Sequence, residues 1–479
     1  MISDFVEIKL NDDVIFNASS SSYLLQSMTN TDTNDVEATV SQIMELAAAG
    51  ADLVRVAVPG MKEADALQKI RSGVARNAIA MQQNEITNVA RNAISMQQKN
   101  IPLVADVHFL PEIAEKTAYF VEKVRINPGN FTDRSSSFGR GVARNAPTDE
   151  YHQGFETMAL RAKPLIDICK KQNTVIRVGV NQGSLCERII ARYGNSTEAL
   201  VASALEWVEI AEKYDFHRIV FSIKSSHVKT MMDANFLFYK KMMEMGKVYP
   251  FHLGVTEAAN EMEGRVKSAI GIGGLLLSGI GNTFRVSLTE NPVHEILFSK
   301  LLVAAIQDIK TNNYDCFSDG ILHIHYPEKN KEKWWGGVGA LTGKWWLNNS
   351  IKEVKIENPH YNTDDIAHLR NCILQICNIK KTYTEIIACP SCGRTQYDIQ
   401  SVLKEVKQRF SNYPHLKIAV MGCVVNGPGE MADADYGIIG STNDKVAVYK
   451  GKERISDFIE VSEALAILQL RIKNHSCCV

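Results

Sequence analysis

Eight short β-rich runs, separated by helical stretches within the first 290 residues, constrain this 479-residue chain more than any other feature. They are Leu24–Met28, Leu53–Val58, Leu103–Val107, Lys123–Asn127, Val175–Val180, Arg218–Ile223, Phe251–Val255 and Phe284–Leu288. Helix signals fall between them. Asn34 or Asp35 is a candidate N-cap before a run through Met44 to Ala49, and Gly50 closes it. Thr197 precedes a run in which Leu200, Ala204, Leu205 and Val208 recur at helical spacing. Alternating strands and helices pair in parallel through right-handed crossovers. Eight units predict a (β/α)8 TIM barrel over residues 1–290, with an open sheet and miscounted strands as the alternative.

Two irregularities interrupt the pattern. Val74–Gln83 recurs almost unchanged as Val89–Gln98, which reads as a lengthened helix, since a solenoid needs about three units or more. Residues 291–384 form a connector or short insertion holding Trp334, Trp335, Trp345 and Trp346. Its Gly336–Lys344 stretch superficially matches a phosphate loop. Val338 stands where the first glycine is required and Trp345 where Ser or Thr should meet magnesium, so no nucleotide site is expected. Residues 385–479 read as a compact α+β domain, with helices near Ile399–Phe410 and Val461–Ile472 and strands near Leu416–Met421, Tyr436–Ile439 and Val446–Tyr449.

Composition serves mainly to exclude. Lys plus Arg number 53 against 54 Asp plus Glu, so no bulk charge is available to hold nucleic acid or an acidic membrane. The apolar stretch nearest to a membrane span, Ala269–Gly281, is short and glycine-rich. The opening MISDFVEIKL has neither signal-peptide nor transit-peptide character, so a cytoplasmic protein is expected. Its ten cysteines are then thiols or metal ligands before they are disulfides. Cys169, Cys186, Cys316, Cys372 and Cys377 are expected to be small buried hydrophobes.

Four runs place an arginine among apolar residues, with a small or polar residue two positions on: Arg55 and Ala57, Arg125 and Asn127, Arg177 and Gly179, Arg285 and Ser287. A strand period of two puts each pair on one face. Val54, Val56, Val124, Ile126, Ile176, Val178, Phe284 and Val286 then face the helices. Lys224 joins the four arginines after the sixth strand. Five converging cations without five obvious carboxylate partners call for a polyanion, and a diphosphate suits guanidinium groups. The alternative is that some arginines face outward to helix carboxylates. Asn127, Asn130, Asn181 and Ser287 could add donors. His108 ends the third strand beside Asp106, either in a catalytic role or as a hydrogen-bonded strand-end histidine. Glu257, after the seventh strand, could take up and deliver a proton once the cations are neutralised.

Cys389-Pro-Ser-Cys392 is followed by Cys423 in a glycine-rich turn that ends at Glu430. A structural zinc site would be complete with four Cys or His ligands. Three thiolates with an exchangeable fourth ligand instead describe a [4Fe–4S] cluster, with Glu430 the natural fourth ligand; zinc remains the alternative.

These motifs resemble a known family. Gln26–Thr33, Val54-Arg-Val-Ala-Val-Pro59, Arg125-Ile-Asn-Pro-Gly-Asn130, Leu253-Gly-Val-Thr-Glu257, Arg285-Val-Ser-Leu288, Ala388-Cys-Pro-Ser-Cys392 and Gly422–Glu430 are similar to those of the 4-hydroxy-3-methylbut-2-enyl diphosphate synthases of the non-mevalonate isoprenoid pathway. The resemblance implies a TIM barrel plus a smaller C-terminal iron–sulfur domain. It implies two-electron reductive ring opening and dehydration of methylerythritol cyclodiphosphate, with ferredoxin or flavodoxin as donor and a homodimer as the common assembly. By motif match, Arg55, Arg125, Asn127, Arg177, Asn181, Lys224, Arg285 and Ser287 hold the diphosphate, with His108 beside them, and Glu257 is the acid/base. Cys389, Cys392, Cys423 and Glu430 hold the cluster. Asn282 and Ala259 depart from the family's usual Asp and Gly, and the connector is too short for the further domain inserted in the plant-type and chlamydia-type branch and longer than the link of the two-domain branch. That length leaves open whether barrel and cluster domain meet within one chain or across a dimer. Two competing readings are a cofactor-free barrel transferase acting on a diphosphate ester, resembling dihydropteroate synthases and carrying structural zinc, and a non-catalytic relative.

Overall fold

A computed structural model of the chain describes residues 4–11, 14–17, 22–87, 101–131, 148–395, 397–424, 427–431, 433–441 and 444–476. Eight parallel strands form its first unit: β1 Leu24–Met28, β2 Leu53–Ala57, β3 Leu103–Asp106, β4 Lys123–Ile126, β5 Val175–Asn181, β6 Ile219–Lys224, β7 His252–Leu253 and β8 Thr283–Phe284. Each coincides with one of the eight runs. β8 pairs with β1, and a parallel bridge between Phe221 and Phe251 joins β6 to β7, which completes the ring. The open-sheet alternative is excluded.

Barrel strands are buried on both faces, which is why the runs read as nearly unbroken apolar stretches. The eight residues expected to face outward all lie in one core shared with the surrounding helices. The helix Val36–Ala49 starts where the Asp35 side chain accepts from the Ala38 N–H and stops at Gly50, whose φ of 101° favours glycine. The first copy of the repeat lies in the helix Met61–Thr87, while the second falls outside the described residues. Below the strands, a hairpin of Glu7–Lys9 and Ile15–Asn17 packs Ile8, Val14 and Phe16 against Leu53, Val104, Val175 and Val220. This plug seals the amino end of the barrel and leaves chemistry to the carboxyl ends of the strands.

The connector is folded. Helix α1 (Pro292–Thr311) leads into a three-stranded sheet of β9 (Asp315–Ser318), β10 (Ile321–His325) and β11 (Glu353–Glu357), flanked by α2 (Lys331–Trp346) and α3 (Thr363–Ile376). The glycine-rich patch is the middle of α2. A Cβ on Gly339 would lie 2.7 Å from that of Ala269, and one on Gly343 would overlap the Ile270 carbonyl. These glycines let α2 press onto the π-helical turn Ala269–Gly273 of the barrel. Four of the five cysteines expected inside are buried; Cys316, on β9, is exposed, because its side chain alternates to the outer face of that sheet.

The C-terminal unit is a mixed sheet of β12 (Glu385–Ala388), β13 (Lys417–Met421), β14 (Tyr436–Gly440), β15 (Val446–Lys450) and β16 (Glu453–Arg454). β12 and β13 are parallel neighbours, with Ala388 opposite Val420, so Cys389 and Cys423 leave adjacent strand ends. The unit sits over the mouth of its own barrel. Thr289 Oγ1 donates to the Cys389 carbonyl at 3.1 Å, and Ala259 is buried in the core of the C-terminal unit. Ala259 has a φ of 69°, which accounts for the glycine preferred there. Asn282 accepts the Phe251 N–H at 2.9 Å through Oδ1, a bond its replaced carboxylate could equally make.

Candidate active site

Strand alternation delivers the cations as expected. Arg55, Arg125, Arg177, Lys224 and Arg285 line one cavity. Asp106, His108, Asn181, Glu257 and Ser287 share its walls, and so do Cys389, Cys392 and Cys423 from the C-terminal unit. The two groups of side chains meet within one chain. Small residues make room for them. A Cβ on Gly254 would lie 2.5 Å from Lys224 Nζ, and one on Gly179 would overlap Arg125 Nε. Gly179→Ala is therefore expected to displace the Arg125 guanidinium and raise KM about tenfold, one charge-assisted contact being worth about 1.5 kcal/mol. Steady-state kinetics with an unchanged KM would show that Arg125 can yield without cost.

The cations are not equivalent. Arg177 is 1% exposed and donates to Ser222 at 3.0 Å, while its Nε and Nη1 have no partner among the described residues. Burial, reinforced by Arg55 and Arg125, pushes it well below its ordinary value. Lys224 is lowered likewise by burial and by Arg177, and Arg55 falls to about 10 for the same first reason. Two carboxylates answer part of this charge. Burial alone would raise Asp106, but Arg55, Arg125 and Arg394 hold it well below the usual range. Glu295, from the first turn of α1, grips Arg285 with both oxygens, at 2.9 Å from Nε and 2.7 Å from Nη2. Arg285 thus has the carboxylate partner that the sequence reading did not find, and it enters the cavity already held. Net positive charge remains, and it asks for an anion.

His108 is buried, and burial together with Arg125 pushes it down to about 3. It is neutral at any physiological pH and acts through hydrogen bonds rather than charge. Asn127 turns away from the cavity: its Nδ2 donates to Ser184 Oγ at 2.7 Å and its Oδ1 accepts from Gly129. Glu257 is 2% exposed, on a left-handed backbone with a φ of 48°, a strain of the kind concentrated at functional sites.

The thiols are half-buried. The Gly422 N–H donates to Cys389 Sγ at 3.1 Å, the kind of contact that supports a thiolate. Among the described residues no three His, Cys, Asp or Glu groups are placed to share a single metal ion. Glu430 belongs to the short turn Gly427–Glu430, and its side chain lies outside the described residues.

Sequence reasoning missed two participants, and one inward cation outside the cavity: Lys123 is fully buried over the Phe16 ring of the plug, 4.7 Å from its centroid, and the period of two that found Arg125 also points it inward. Glu295 carries no local signal, since an acid in the first turn of a helix reads as an ordinary partner of the helix dipole. Arg394, two residues after Cys392, crosses to Asp106 at 2.9 Å.

Comparison with known proteins follows the same lines. The family model for the GcpE TIM-barrel domain matches residues 14–300, and that for the GcpE protein C-terminal domain matches residues 385–474. A 4-hydroxy-3-methylbut-2-en-1-yl diphosphate synthase (ferredoxin) from Synechococcus sp. (strain JA-3-3Ab) is 37% identical over 454 residues, covering 93% of this chain and 86% of that relative. A 4-hydroxy-3-methylbut-2-en-1-yl diphosphate synthase (flavodoxin) from Chlamydia muridarum is 32% identical, covering 96% and 95%. The latter alignment runs over 596 residues, so that relative carries stretches with no counterpart in these 479.

Proposed function

This chain belongs to the GcpE family, and we infer from that premise and from the cavity how its residues carry out the family's reaction. It is a 4-hydroxy-3-methylbut-2-enyl diphosphate synthase, an oxidoreductase that opens the ring of 2-C-methyl-D-erythritol 2,4-cyclodiphosphate with loss of water. Two electrons and one proton are consumed. The ring C–O bond to phosphate breaks and the freed oxygen stays on the diphosphate as an anion, the hydroxyl on the adjacent carbon departs with the proton as water, and the two electrons form the C=C bond between those carbons. The relatives' names specify ferredoxin or flavodoxin as electron donor, and we extend that donor class to this chain. The cofactor-free transferase reading is not favoured. No helix among the described residues is long and apolar enough to cross a membrane.

One observation carries the assignment of roles: inward cations and three thiols line the same cavity of a single chain. Arg55, Arg125, Arg177 and Lys224 bind the diphosphate, Asn181 and Ser287 add hydrogen bonds, and Arg285 presents the edge that Glu295 leaves open. Asn127 shapes this wall through Ser184 rather than touching the ligand. His108, neutral, orients Arg125 and Asp106. Glu257, close to the cations and screened from water, holds the proton for the leaving hydroxyl. Cys389, Cys392, Cys423 and Glu430 would hold a [4Fe–4S] cluster, which when bound supplies low-potential electrons and a Lewis-acidic iron at the substrate oxygen. Because the site closes in cis, a homodimer, if formed, is not needed to complete it.

The test is anaerobic reconstitution with iron, sulfide and zinc quantification on wild type and Cys423→Ser. Wild type is expected to be brown, to hold about four irons and four sulfides, and to turn over the cyclic diphosphate with a low-potential donor. Cys423→Ser should lose most of the cluster and all measurable turnover while retaining the fold by circular dichroism. A folded, iron-free wild type, or zinc without acid-labile sulfide, would refute the cluster assignment.

A further inference from the structure

Arg394 follows Cys392 by two residues, and the reaction as derived above makes no use of it. Its side chain leaves the C-terminal unit, crosses the cavity and donates from Nη2 to Asp106 Oδ2 at 2.9 Å. Both partners are out of water, with side chains 10% and 1% exposed. Asp106 is shared: its Oδ1 accepts from Arg125 at 3.1 Å and its Oδ2 faces His108 Nε2 at 3.3 Å. The neighbouring backbone is pinned too, since a Cβ on Gly393 would lie 2.6 Å from the Thr31 carbonyl. Arg394 lines the cavity together with Cys392 and Cys423.

We infer that Arg394 is a positioning residue with two linked effects: through Asp106 it fastens the C-terminal unit over the barrel mouth, and in doing so it fixes a positive charge beside the iron–sulfur centre. The inference rests on the proposed ligation by Cys389, Cys392 and Cys423. Reduction adds negative charge to a centre already ringed by thiolates. A fixed cation in a dry cavity favours the reduced state, because screening there is weak. Opening the domains would let water replace the Asp106 bond and let Arg394 swing away, so closure and ease of reduction rise together. Electrons are then accepted most readily when the cavity is shut.

Redox titration of the reconstituted holoenzyme, followed by electron paramagnetic resonance, tests the charge, and the radius of gyration from small-angle scattering tests the fastening. Arg394→Gln removes both, Arg394→Lys keeps the charge, and Asp106→Asn keeps the arginine but weakens its anchor. Arg394→Gln should shift the reduction equilibrium at least tenfold against the reduced state, about 59 mV for a one-electron couple. Arg394→Lys should restore most of that shift. Asp106→Asn should enlarge the radius of gyration, in cluster-free protein as well as in holoenzyme. A wild-type potential in Arg394→Gln overturns the electrostatic role, and an unchanged radius in Asp106→Asn overturns the fastening. If Arg394→Gln does not fold, Asp106→Asn and Arg394→Lys decide. A wild type that binds no iron or sulfide overturns the ligation beneath this inference and is recognised before any potential is measured.

Discussion

Arg177→Met is expected to weaken binding of the cyclic diphosphate by about two orders of magnitude or more while making the ligand-free protein more stable. Arg177 sits midway along β5, 1% exposed, with one bond to Ser222 and two donor nitrogens unmatched among the described residues. Each charge-assisted bond to phosphate is worth about 1.5–3 kcal/mol, and about 1.4 kcal/mol is a factor of ten. Two such bonds account for roughly two to four orders of magnitude. The same unmatched donors cost the empty barrel about 1–3 kcal/mol, and Arg55 and Arg125 add repulsion. Methionine fills much of the volume without those penalties. Stability and function therefore move in opposite directions, as they do where a site is built for a ligand rather than for the fold. Calorimetric titration and denaturant unfolding of the ligand-free protein measure the two effects. Wild-type affinity in Arg177→Met would remove this residue from the diphosphate site. A lower unfolding midpoint would mean that an unseen partner already satisfies it.

What was legible in the sequence follows from one geometric fact. A barrel strand alternates strictly, and its outward residues are aliphatic because helices cover them. An arginine between Val54 and Val56, or between Ile176 and Val178, has nowhere to point but the axis. The strands and the cation ring were therefore readable from period two alone, and Gly179, read only as a small neighbour, proved to be the space that Arg125 occupies. The same rule would have yielded Lys123 had it been applied one step earlier along β4. What could not be read depends on partners distant in sequence. The plug formed by Ile8, Val14 and Phe16 is a short amphipathic hairpin like many surface hairpins. Gly339 and Gly343 gave no helix signal because local propensity disfavours glycine in helices, whereas close packing against Ala269 and Ile270 requires it. Arg394 and Asp106 are 288 residues apart, and neither carries a sign of the other.

Glu295→Ala is expected to destabilise the protein by about 3–5 kcal/mol, a large share of the 5–15 kcal/mol typical of a folded domain. The carboxylate is 1% exposed and fully occupied: it accepts from Arg285 Nε and Nη2, from Ser27 Oγ at 2.8 Å and from the Leu288 N–H at 3.3 Å. Removing it strands the Arg285 guanidinium among cations that already exceed their counter-charges, with no route to water. Cutting the arginine instead strands the glutamate, so Arg285→Ala should cost a similar amount. Its effect on substrate affinity should be smaller than that of Arg177→Met, because most of the Arg285 donors are spent on Glu295. Replacing both residues by Met and Leu removes two desolvation penalties together with their attraction and should recover most of the loss. The double-mutant cycle, followed by denaturant unfolding, separates the pair from its surroundings. A Glu295→Ala midpoint close to wild type would show that Arg285 can turn into the cavity and be solvated there. In that case Arg285 would bind the diphosphate as freely as Arg177, and its affinity loss on truncation should then match.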